Sequence, residues 1–145
     1  MIEVYTDGAC RGNPGEGGYG VVIQDEGGEH EFSGYDASTT NNRMELTAAI
    51  EGLKATPTGE TVRVTTDSKY VVDGITSWIH GWIRRGWKKA DKSPVLNQEL
   101  WQALHAETQA RKVEWRWVKG HAGHLENERC DQLANEAMDR RAGIG

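Results

Sequence analysis

The stretch Ile2-Glu3-Val4-Tyr5-Thr6-Asp7-Gly8-Ala9-Cys10 decides the fold of this chain. Apolar and polar side chains alternate along it, which is the period-two pattern of a β-strand, and we expect the strand to end at Asp7. The stretch Thr61-Val62-Arg63-Val64-Thr65-Thr66-Asp67-Ser68 repeats this arrangement, with a second aspartate at Asp67. A helical pattern over residues 42–54 separates the two stretches, so a right-handed crossover makes the strands parallel. Both aspartates then lie at the carboxyl ends of the strands, where open α/β sheets bind ligands.

The remaining sequence predicts further strands and helices around this parallel pair. Residues 12–18 hold four glycines and a proline, but they lack the Gly-Lys-Ser/Thr ending of a phosphate-binding loop, so we interpret them as a turn. Periodicity predicts the other elements: antiparallel strands 19–24 and 30–35 joined at Gly27-Gly28, a helix over 68–86 with breaks at Gly74 and Gly81, a helix over 97–109, a strand over 113–119 and a helix over 126–141.

Composition and length favour one α/β domain that covers residues 1–145. The chain has 145 residues, of which 37% are hydrophobic. No apolar run approaches the ~20 residues of a membrane span, and the chain starts with a strand pattern instead of a basic and then apolar leader. We therefore expect a cytoplasmic protein with no membrane partner. Two cysteines agree with a reducing compartment, and the sequence leaves open whether Cys10 and Cys130 pair.

The distribution of charge matters more than its total. The net charge of −5 argues against a nucleic-acid partner, because affinity for phosphates is largely electrostatic. However, the segment 84–92 carries +4, since five basic residues stand against Asp91 alone. Trp78 and Trp82 share a helix face just before this segment, and Trp87 lies within it. Basic charge interleaved with tryptophan favours a nucleic-acid-binding surface over a buried aromatic stripe.

Four acidic residues lie at strand ends or at the inward edges of helices. Glu45 and Asp131 flank the apolar stripes of their helices, and Asp7 and Asp67 end their strands. Buried carboxylates that lie close together repel one another unless a cation holds them. An all-oxygen ligand set indicates Mg²⁺ or Mn²⁺, and Mg²⁺ shares its sites with substrate phosphates. The residues alone therefore predict metal-assisted phosphodiester chemistry.

A zinc site is the competing metal hypothesis. The spacing of His121 and His124 suits zinc ligands, and Cys10 and Cys130 could complete the set. Neither cysteine belongs to a closely spaced pair, so we prefer the carboxylate site.

The motifs of this chain resemble those of bacterial ribonuclease HI, a type 1 ribonuclease H. The resemblance covers nearly the full length, in order and with the spacings of that family. It rests on the following segments: Tyr5-Thr6-Asp7-Gly8-Ala9-Cys10, Gly12-Asn13-Pro14-Gly15, Thr39-Thr40-Asn41-Asn42-Arg43-Met44-Glu45, Thr66-Asp67-Ser68-x-Tyr70-Val71, Trp78-Ile79, Gly86-Trp87-Lys88 and Val118-Lys119-Gly120-His121-Ala122-Gly123-His124-x-Glu126-Asn127-Glu128-x-x-Asp131.

The resemblance implies a fold, an activity and a cofactor. The implied fold is a mixed five-stranded sheet in the strand order 3-2-1-4-5, flanked by helices. The implied activity is hydrolysis of the RNA strand of RNA/DNA hybrids, by in-line displacement that leaves 5′-phosphate and 3′-hydroxyl ends. The family uses two Mg²⁺ ions per active site, for which Mn²⁺ can substitute, and it is monomeric. Its metal ligands correspond to Asp7, Glu45, Asp67 and Asp131, and His121 corresponds to a histidine that assists proton transfer and product departure.

The resemblance also implies which residues bind each strand of the hybrid. Residues facing the RNA strand and its 2′-hydroxyls correspond to Cys10, Asn13, Asn41 and Lys69. Residues at a DNA-strand phosphate correspond to Thr40 and Asn97. The rest of the DNA-strand surface corresponds to Trp78, Trp82 and a basic protrusion from about residue 81 to 92 that includes Arg84, Arg85, Trp87, Lys88 and Lys89.

Three positions depart from close relatives, and two rival functions remain. Lys69 replaces a common glutamine, and Ile83 and Leu96 stand where basic residues are frequent.

One rival function is that of the catalytic core of a strand-transfer nuclease such as a transposase, but 145 residues leave no room for its end-binding domains. The other rival is a non-catalytic hybrid-binding module, in which loss of an acidic residue would be expected. All four acidic residues are present.

Overall fold

The chain folds into a five-stranded mixed sheet with helices on both faces. The computed structural model describes residues 1–120 and 124–144. The elements are β1 Ile2–Arg11, β2 Gly15–Asp25, β3 Gly28–Thr39, α1 Asn41–Lys54, β4 Thr61–Thr66, α2 Lys69–Asp73, α3 Ile79–Arg84, α4 Gln98–Gln109, β5 Lys112–Trp117 and α5 Leu125–Ile144. The strand order is β3-β2-β1-β4-β5, which confirms the predicted topology. Among the described residues, no helix combines the length and the apolar character that a membrane crossing demands.

Alternating side chains of the central strands pack into two layers of core. Val4 and Val21 belong to the larger layer, which lies beneath α1 and α4 and includes the fully buried Trp101. Val22, on the opposite face of the sheet, packs with Cys130 of α5. Successive side chains of a strand point to opposite faces, so the period-two pattern supplies both layers at once. The two layers fix α1 and α5 on opposite sides of the central strands.

The first strand is longer than predicted, and its length changes the setting of Asp7. We expected the strand to end at this residue, which is wrong, because antiparallel pairing with β2 carries β1 on to Arg11. Parallel pairing with β4 does end there, since its last pair joins Thr6 to Thr66. Asp7 therefore lies at the carboxyl end of the parallel part of the sheet, although it remains inside a strand.

The glycine-rich segment is only partly a turn. Residues 12–14 do turn the chain, whereas residues 15–18 belong to β2 and pair with β3. Both strands of this hairpin extend beyond the predicted 19–24 and 30–35. In β2 most of the added residues are glycines, which carry little strand propensity and hide the pattern. The glycines have a packing role instead. A Cβ at Gly20 would collide with the main-chain oxygen of Cys130, so the missing side chain lets α5 lie directly on the sheet.

The helical segment after β4 is continuous where we expected it to break. A π-helical turn, Gly74–Trp78, joins α2 to α3, and the Ile79 N–H bonds to the Gly74 carbonyl five residues earlier. The predicted break at Gly74 is therefore a local widening of the helix. The predicted break at Gly81 is wrong, because this residue lies within α3.

The close packing of α5 on β2 gives a testable prediction for Gly20→Ala. The added methyl group would meet Cys130 O and, at 2.8 Å, Leu133 Cβ. We expect the free energy of unfolding to fall by roughly 1–3 kcal/mol, as for other overpacked cores. Urea denaturation measures the change. Gly27→Ala is the matched control, because its Cβ meets only the exposed Asp25 Oδ1 at 3.2 Å. Equal losses in the two variants would contradict close packing at Gly20.

Candidate active site

The four predicted carboxylates line one cavity of about 480 Å³ at the carboxyl ends of the parallel strands β1 and β4. Asp7 stands where the parallel pairing of β1 and β4 ends, and Asp67 directly follows β4. Glu45 comes from α1, and Asp131 comes from α5. Residues that are far apart in sequence thus meet, because the two helices on opposite faces of the sheet both pass the carboxyl ends of β1 and β4.

Three of the carboxylates are close enough to share a ligand. One oxygen atom each from Asp7, Glu45 and Asp67 lie within 4.8 Å of one another. Asp131 lines the same cavity and lies near enough to raise the pKa of Asp7. Asp7 and Glu45 are only 8% and 6% exposed, so water does not fully solvate their charges. The arrangement places negative charge in a partly enclosed space, which is unfavourable without a compensating cation.

A single main-chain hydrogen bond orients Glu45. The Gly8 N–H donates to Glu45 Oε1 at 2.7 Å. A Cβ at position 8 would lie 2.5 Å from Glu45 N and from Met44 C, so only glycine allows α1 to approach β1 this closely. The glycine that follows Asp7 is therefore part of the site, because it brings the Glu45 carboxylate beside Asp7.

Burial and mutual repulsion raise the pKa values of two of these groups. Burial is the largest cause for Asp7, and the charges of Asp67 and Asp131 add to it, so its pKa rises to about 9. The pKa of Glu45 lies well above its usual range because of burial and the charges of Asp7 and Asp67. The Gly8 N–H partly opposes this rise. Without a cation, some of these carboxyl groups hold protons near neutral pH.

The chemistry of the donor set fits a hard divalent cation. Carboxylate oxygens suit Mg²⁺ or Mn²⁺, and charge repulsion among them is relieved when such an ion binds. Asn127 lines the same cavity, and its buried Oδ1 has no hydrogen-bond partner among the described residues. This oxygen is a further candidate for a polar contact in the cavity, either to an ion or to its water.

The zinc alternative receives no support from the described residues. The Cys10 thiol donates to the Gly12 carbonyl at 2.7 Å, and the buried Cys130 thiol donates to the Tyr5 carbonyl at 3.2 Å. Both cysteines are free. Burial raises the pKa of the Cys130 thiol far above its usual range, which disfavours the thiolate that zinc requires. His121 lies outside the described residues, and His124 lines the carboxylate cavity.

Sequence reasoning gave no role to several residues that line the cavity. These are Lys119, Asn127, Glu128 and Gln132. A signal for Asn127 was present, because it lies four residues before Asp131 and so shares its face of α5. Its Nδ2 donates to the Thr6 carbonyl at 3.5 Å, which ties the start of α5 to β1.

Three of the residues predicted to face the RNA strand, Cys10, Asn13 and Asn41, lie around the N-terminus of α1. Asn41 lines the carboxylate cavity, and its N–H donates to Asn13 Oδ1 at 3.1 Å. Thr40 caps α1, and its hydroxyl accepts from the Arg43 N–H at 3.3 Å. The Cys10 thiol bonds within its own turn. The positive end of the α1 helix dipole makes this helix start a favourable place for a phosphate.

Lys69, which is also predicted to face the RNA strand, begins α2 two residues after the cavity residue Asp67. It is exposed, and its ammonium stands 5.6 Å from the centre of the Trp117 ring. The Trp117 indole N–H donates to the Asp67 carbonyl at 3.0 Å, so this ring also fixes the end of β4. The cation–π contact holds the charge of Lys69 near the carboxylate edge.

The predicted DNA-strand residues form a surface of tryptophans and exposed cations. Trp78 is 43% exposed, and its ring centre lies 6.1 Å from that of Trp82. Trp82 also packs against Trp87 and against the buried Trp101, which anchors the surface to the core. The cations of the protrusion are all exposed: Arg84, Arg85, Lys88, Lys89 and Lys92. Exposed apolar side chains stand at Ile83 and Leu96.

Comparison with known proteins assigns the family. The family model described as RNase H matches residues 1–139. The chain belongs to the RNase H family. A curated ribonuclease H of Mesorhizobium japonicum is 60% identical over 138 residues, which cover 95% of this chain and 78% of that protein.

Two solved structures of RNase H proteins share the fold. LC9-RNase H1, described as a type 1 RNase H with the type 2 active-site motif, is 40% identical with a TM-score of 0.83, over 94% of this chain and 71% of that one. LC11-RNase H1, solved in complex with an RNA/DNA hybrid, is 32% identical with a TM-score of 0.72, over 98% and 99% of the two chains.

Membership of the RNase H family decides between the functions that the sequence left open. The chain is a nuclease, as are its relatives, so the non-catalytic binding module is excluded. The strand-transfer rival loses its support, because the matching family model is that of RNase H over residues 1–139. The carboxylate cavity is the place in the chain where nuclease chemistry is expected.

The raised pKa of Asp7 gives a prediction about stability without metal. Its pKa rises from 3.8 to about 9, so the folded chain holds a proton that the unfolded chain releases. Protonation of Asp7 therefore contributes to the free energy of unfolding. This contribution is fully present below about pH 4 and is lost as pH rises towards about 9. We expect Asp7→Asn to become the more stable protein by about 1 kcal/mol or more at the alkaline end. Thermal unfolding in a chelator measures this.

A matched substitution and added Mg²⁺ control this measurement. Asp139→Asn changes an exposed carboxylate that pairs with Arg11 at 2.6 Å, so its profile should follow the unmodified chain. Mg²⁺ should stabilise the unmodified chain more at about pH 8 than at about pH 5, because the ion binds ionised carboxylates. Parallel pH profiles for the two variants would contradict the raised pKa of Asp7.

Proposed function

We propose that this member of the RNase H family hydrolyses the RNA strand of RNA/DNA hybrids. The main support for this proposal is a cavity lined by Asp7, Glu45, Asp67 and Asp131. The same chain also has a surface of tryptophans and exposed cations. The carboxylates suit phosphodiester hydrolysis, and the surface suits a nucleic-acid backbone. The RNA/DNA hybrid in the complex of LC11-RNase H1 supports this choice of substrate.

The four carboxylates would hold Mg²⁺, or Mn²⁺ in its place. When bound, two such ions would supply activation of the attacking water and stabilisation of the leaving 3′ oxygen, which is the chemistry of in-line hydrolysis to 5′-phosphate and 3′-hydroxyl products. By the family resemblance Asp7 would be the central ligand of this set, and Glu45, Asp67 and Asp131 line the same cavity. The chain itself supplies the fixed geometry, since strand ends and a Gly8 N–H position these oxygens before substrate arrives.

The residues around the cavity would distinguish the two strands. We assign Cys10, Asn13, Asn41 and Lys69 to the RNA strand, where 2′-hydroxyl groups are available. Asn41 lines the cavity itself, so this strand passes next to the carboxylates. We also assign His121 a role in proton transfer and product departure, on the resemblance alone, because it lies outside the described residues.

The DNA strand would lie across the surface formed by the tryptophans and the protrusion. A phosphate of this strand would bind at Thr40 and Asn97. The remaining contacts would come from Trp78, Trp82, Arg84, Arg85, Trp87, Lys88 and Lys89. One catalytic domain over residues 1–145 and a cytoplasmic location, both expected from length and composition, belong to the same proposal, as does the monomeric state that the resemblance implies.

Cleavage of an end-labelled RNA/DNA duplex tests this function. We expect Mg²⁺-dependent cutting of the RNA strand, with little cutting of RNA/RNA or DNA/DNA duplexes. Asp7→Asn should reduce the rate to a few per cent or less, since it removes one charged ligand at the centre of the site. Asp139→Asn is the control, because its carboxylate is exposed and pairs with Arg11. Substantial cleavage by the Asp7 variant would refute the proposed role of the cavity.

The proposed role of the protrusion predicts a change in salt dependence. Replacing Lys88 and Lys89 together with alanine should weaken hybrid binding whatever the sequence of the hybrid. The slope of log affinity against log salt should fall by up to about two, which is about 0.9 for each lost phosphate contact. The control replaces Lys54 and Lys112, which are exposed at the end of α1 and the start of β5. An unchanged slope in the Lys88 and Lys89 variant would mean that these cations face solvent only.

A further inference from the structure

Asn97 has an unusual conformation for the residue that precedes a helix. Its backbone is left-handed, with φ 61° and ψ 32°, and its side chain makes no capping hydrogen bond to α4. Asparagine in this position usually caps the helix from an extended conformation. Residues in left-handed conformations cost free energy and persist where their surroundings over-determine them. The surroundings of the Asn97 side chain therefore indicate what the conformation serves.

Two neighbours hold the Asn97 carboxamide from its two ends. Arg43 Nη1 donates to Asn97 Oδ1 at 3.1 Å, and Asn97 Nδ2 donates to the Tyr70 hydroxyl oxygen at 3.2 Å. A guanidinium can only donate, so Arg43 fixes the oxygen end of the carboxamide and leaves the nitrogen end at Tyr70. The carboxamide nitrogen carries two hydrogens, and the bond to Tyr70 uses one. The second N–H of Asn97 is therefore held in a defined direction.

The Tyr70 hydroxyl is itself fixed by the core. Trp101 Nε1 donates to it at 3.2 Å, so it accepts from both Trp101 and Asn97. The Tyr70 ring lies between two tryptophans, with centroid distances of 5.2 Å to Trp101 and 5.9 Å to Trp78. Trp101 is fully buried. Tyr70 thus joins the rigid core to Asn97 and, through its ring, to the exposed Trp78.

Arg43 links the same carboxamide to the start of α1. Its main-chain N–H donates to Thr40 Oγ1 at 3.3 Å, and its guanidinium pairs with Glu99 at 2.6 Å in the first turn of α4. The positive charge of Arg43 is therefore already partnered by a carboxylate. Arg43 acts between Thr40 and Asn97, the two residues to which we assign a DNA-strand phosphate.

We propose that Tyr70 and Arg43 are positioning residues, which hold the Asn97 carboxamide so that its second N–H donates to a phosphate of the DNA strand. This inference rests on the proposed function, because it needs the hybrid to bind with its DNA strand at Thr40 and Asn97. Neither residue touches the reacting atoms. Their contribution is to binding of the hybrid, by removing the freedom of Asn97 before the phosphate arrives.

A purely structural role for Tyr70 is the alternative, since its hydroxyl also satisfies the buried indole N–H of Trp101. The two roles predict different effects on affinity when one phosphate of the hybrid is replaced by an uncharged group. If Tyr70 only supports the core, Tyr70→Phe weakens every hybrid equally. If Tyr70 positions Asn97, the loss concerns one phosphate of one strand, because only that phosphate meets the carboxamide.

Hybrids with a single methylphosphonate, placed at successive positions of either strand, separate these roles. Affinity is measured in the Asp7→Asn background, which prevents cleavage. We expect one DNA-strand position at which the methylphosphonate weakens binding more than at its neighbours. Tyr70→Phe should weaken binding of the unmodified hybrid by about 3- to 10-fold, which is the size of one hydrogen bond. In the Tyr70→Phe variant, a methylphosphonate at that DNA-strand position should weaken binding hardly more than one at the neighbouring positions.

Kinetics and two further variants complete the experiment. With Asp7 intact, Tyr70→Phe should raise KM by a similar factor and change kcat by less than about twofold, as for lost uniform binding. In an Asn97→Ala background, Tyr70→Phe should add no loss. Tyr35→Phe is the matched control, because its hydroxyl donates to Glu16 at 3.2 Å on β2. Circular dichroism checks that each variant folds.

Several outcomes overturn the inference. These are a uniform loss over all phosphate positions, losses that add in the Asn97→Ala background, an RNA-strand position for the special phosphate, or a Tyr70→Phe variant that binds like Tyr35→Phe. If Tyr70→Phe does not fold, Arg43→Gln gives the decision, since it frees the other end of the carboxamide and should erase the same phosphate-specific penalty. Cleavage of hybrid by the unmodified chain shows that such a failure concerns only the inference, whereas absence of cleavage overturns the proposed function as well.

Discussion

Repulsion among buried carboxylates is the constraint on which the rest of the structure depends. Asp7, Glu45 and Asp67 place oxygens within 4.8 Å of one another, and burial raises the pKa values of the first two. The carboxylates do not stabilise this arrangement themselves, because each of these groups would be better solvated elsewhere. The core must therefore be rigid enough to oppose the repulsion. The two layers of apolar side chains supply this rigidity by fixing α1 and α5 on either side of the sheet.

The mixed topology of the sheet explains why the cavity forms at this point. β1 pairs in parallel with β4 only up to Thr6, while antiparallel pairing with β2 carries it past Asp7 to Arg11. One neighbouring strand thus ends beside the aspartate and the other continues, which opens the sheet on one side alone. Gly8 lets α1 enter from one face, and Gly20 lets α5 lie flat on the other.

The resemblance implied the strand order, whereas periodicity alone placed the four acidic residues at strand ends or beside the apolar stripes of helices. Strand lengths were not predictable in the same way, since glycines of β2 have no side chain to show the alternation. The link between Tyr70 and Asn97 joins residues 27 positions apart through side chains alone, so no local pattern announces it. The widened helix at Gly74 was likewise hidden, because a glycine in a helical pattern indicates equally a break or a bulge.

The acidic total of this chain is compatible with a nucleic-acid partner because the charges are separated in space. Five acidic side chains line the cavity, where a cation would offset their charge, and the cations of the protrusion are all exposed. At physiological salt a phosphate senses charges within about 8 Å, so it meets the local cations and not the net charge of −5. Tyr70 and Trp101 connect the tryptophan surface to the core, which keeps that surface rigid. A rigid surface loses little freedom on binding, so few cations are needed to bind a phosphate backbone there.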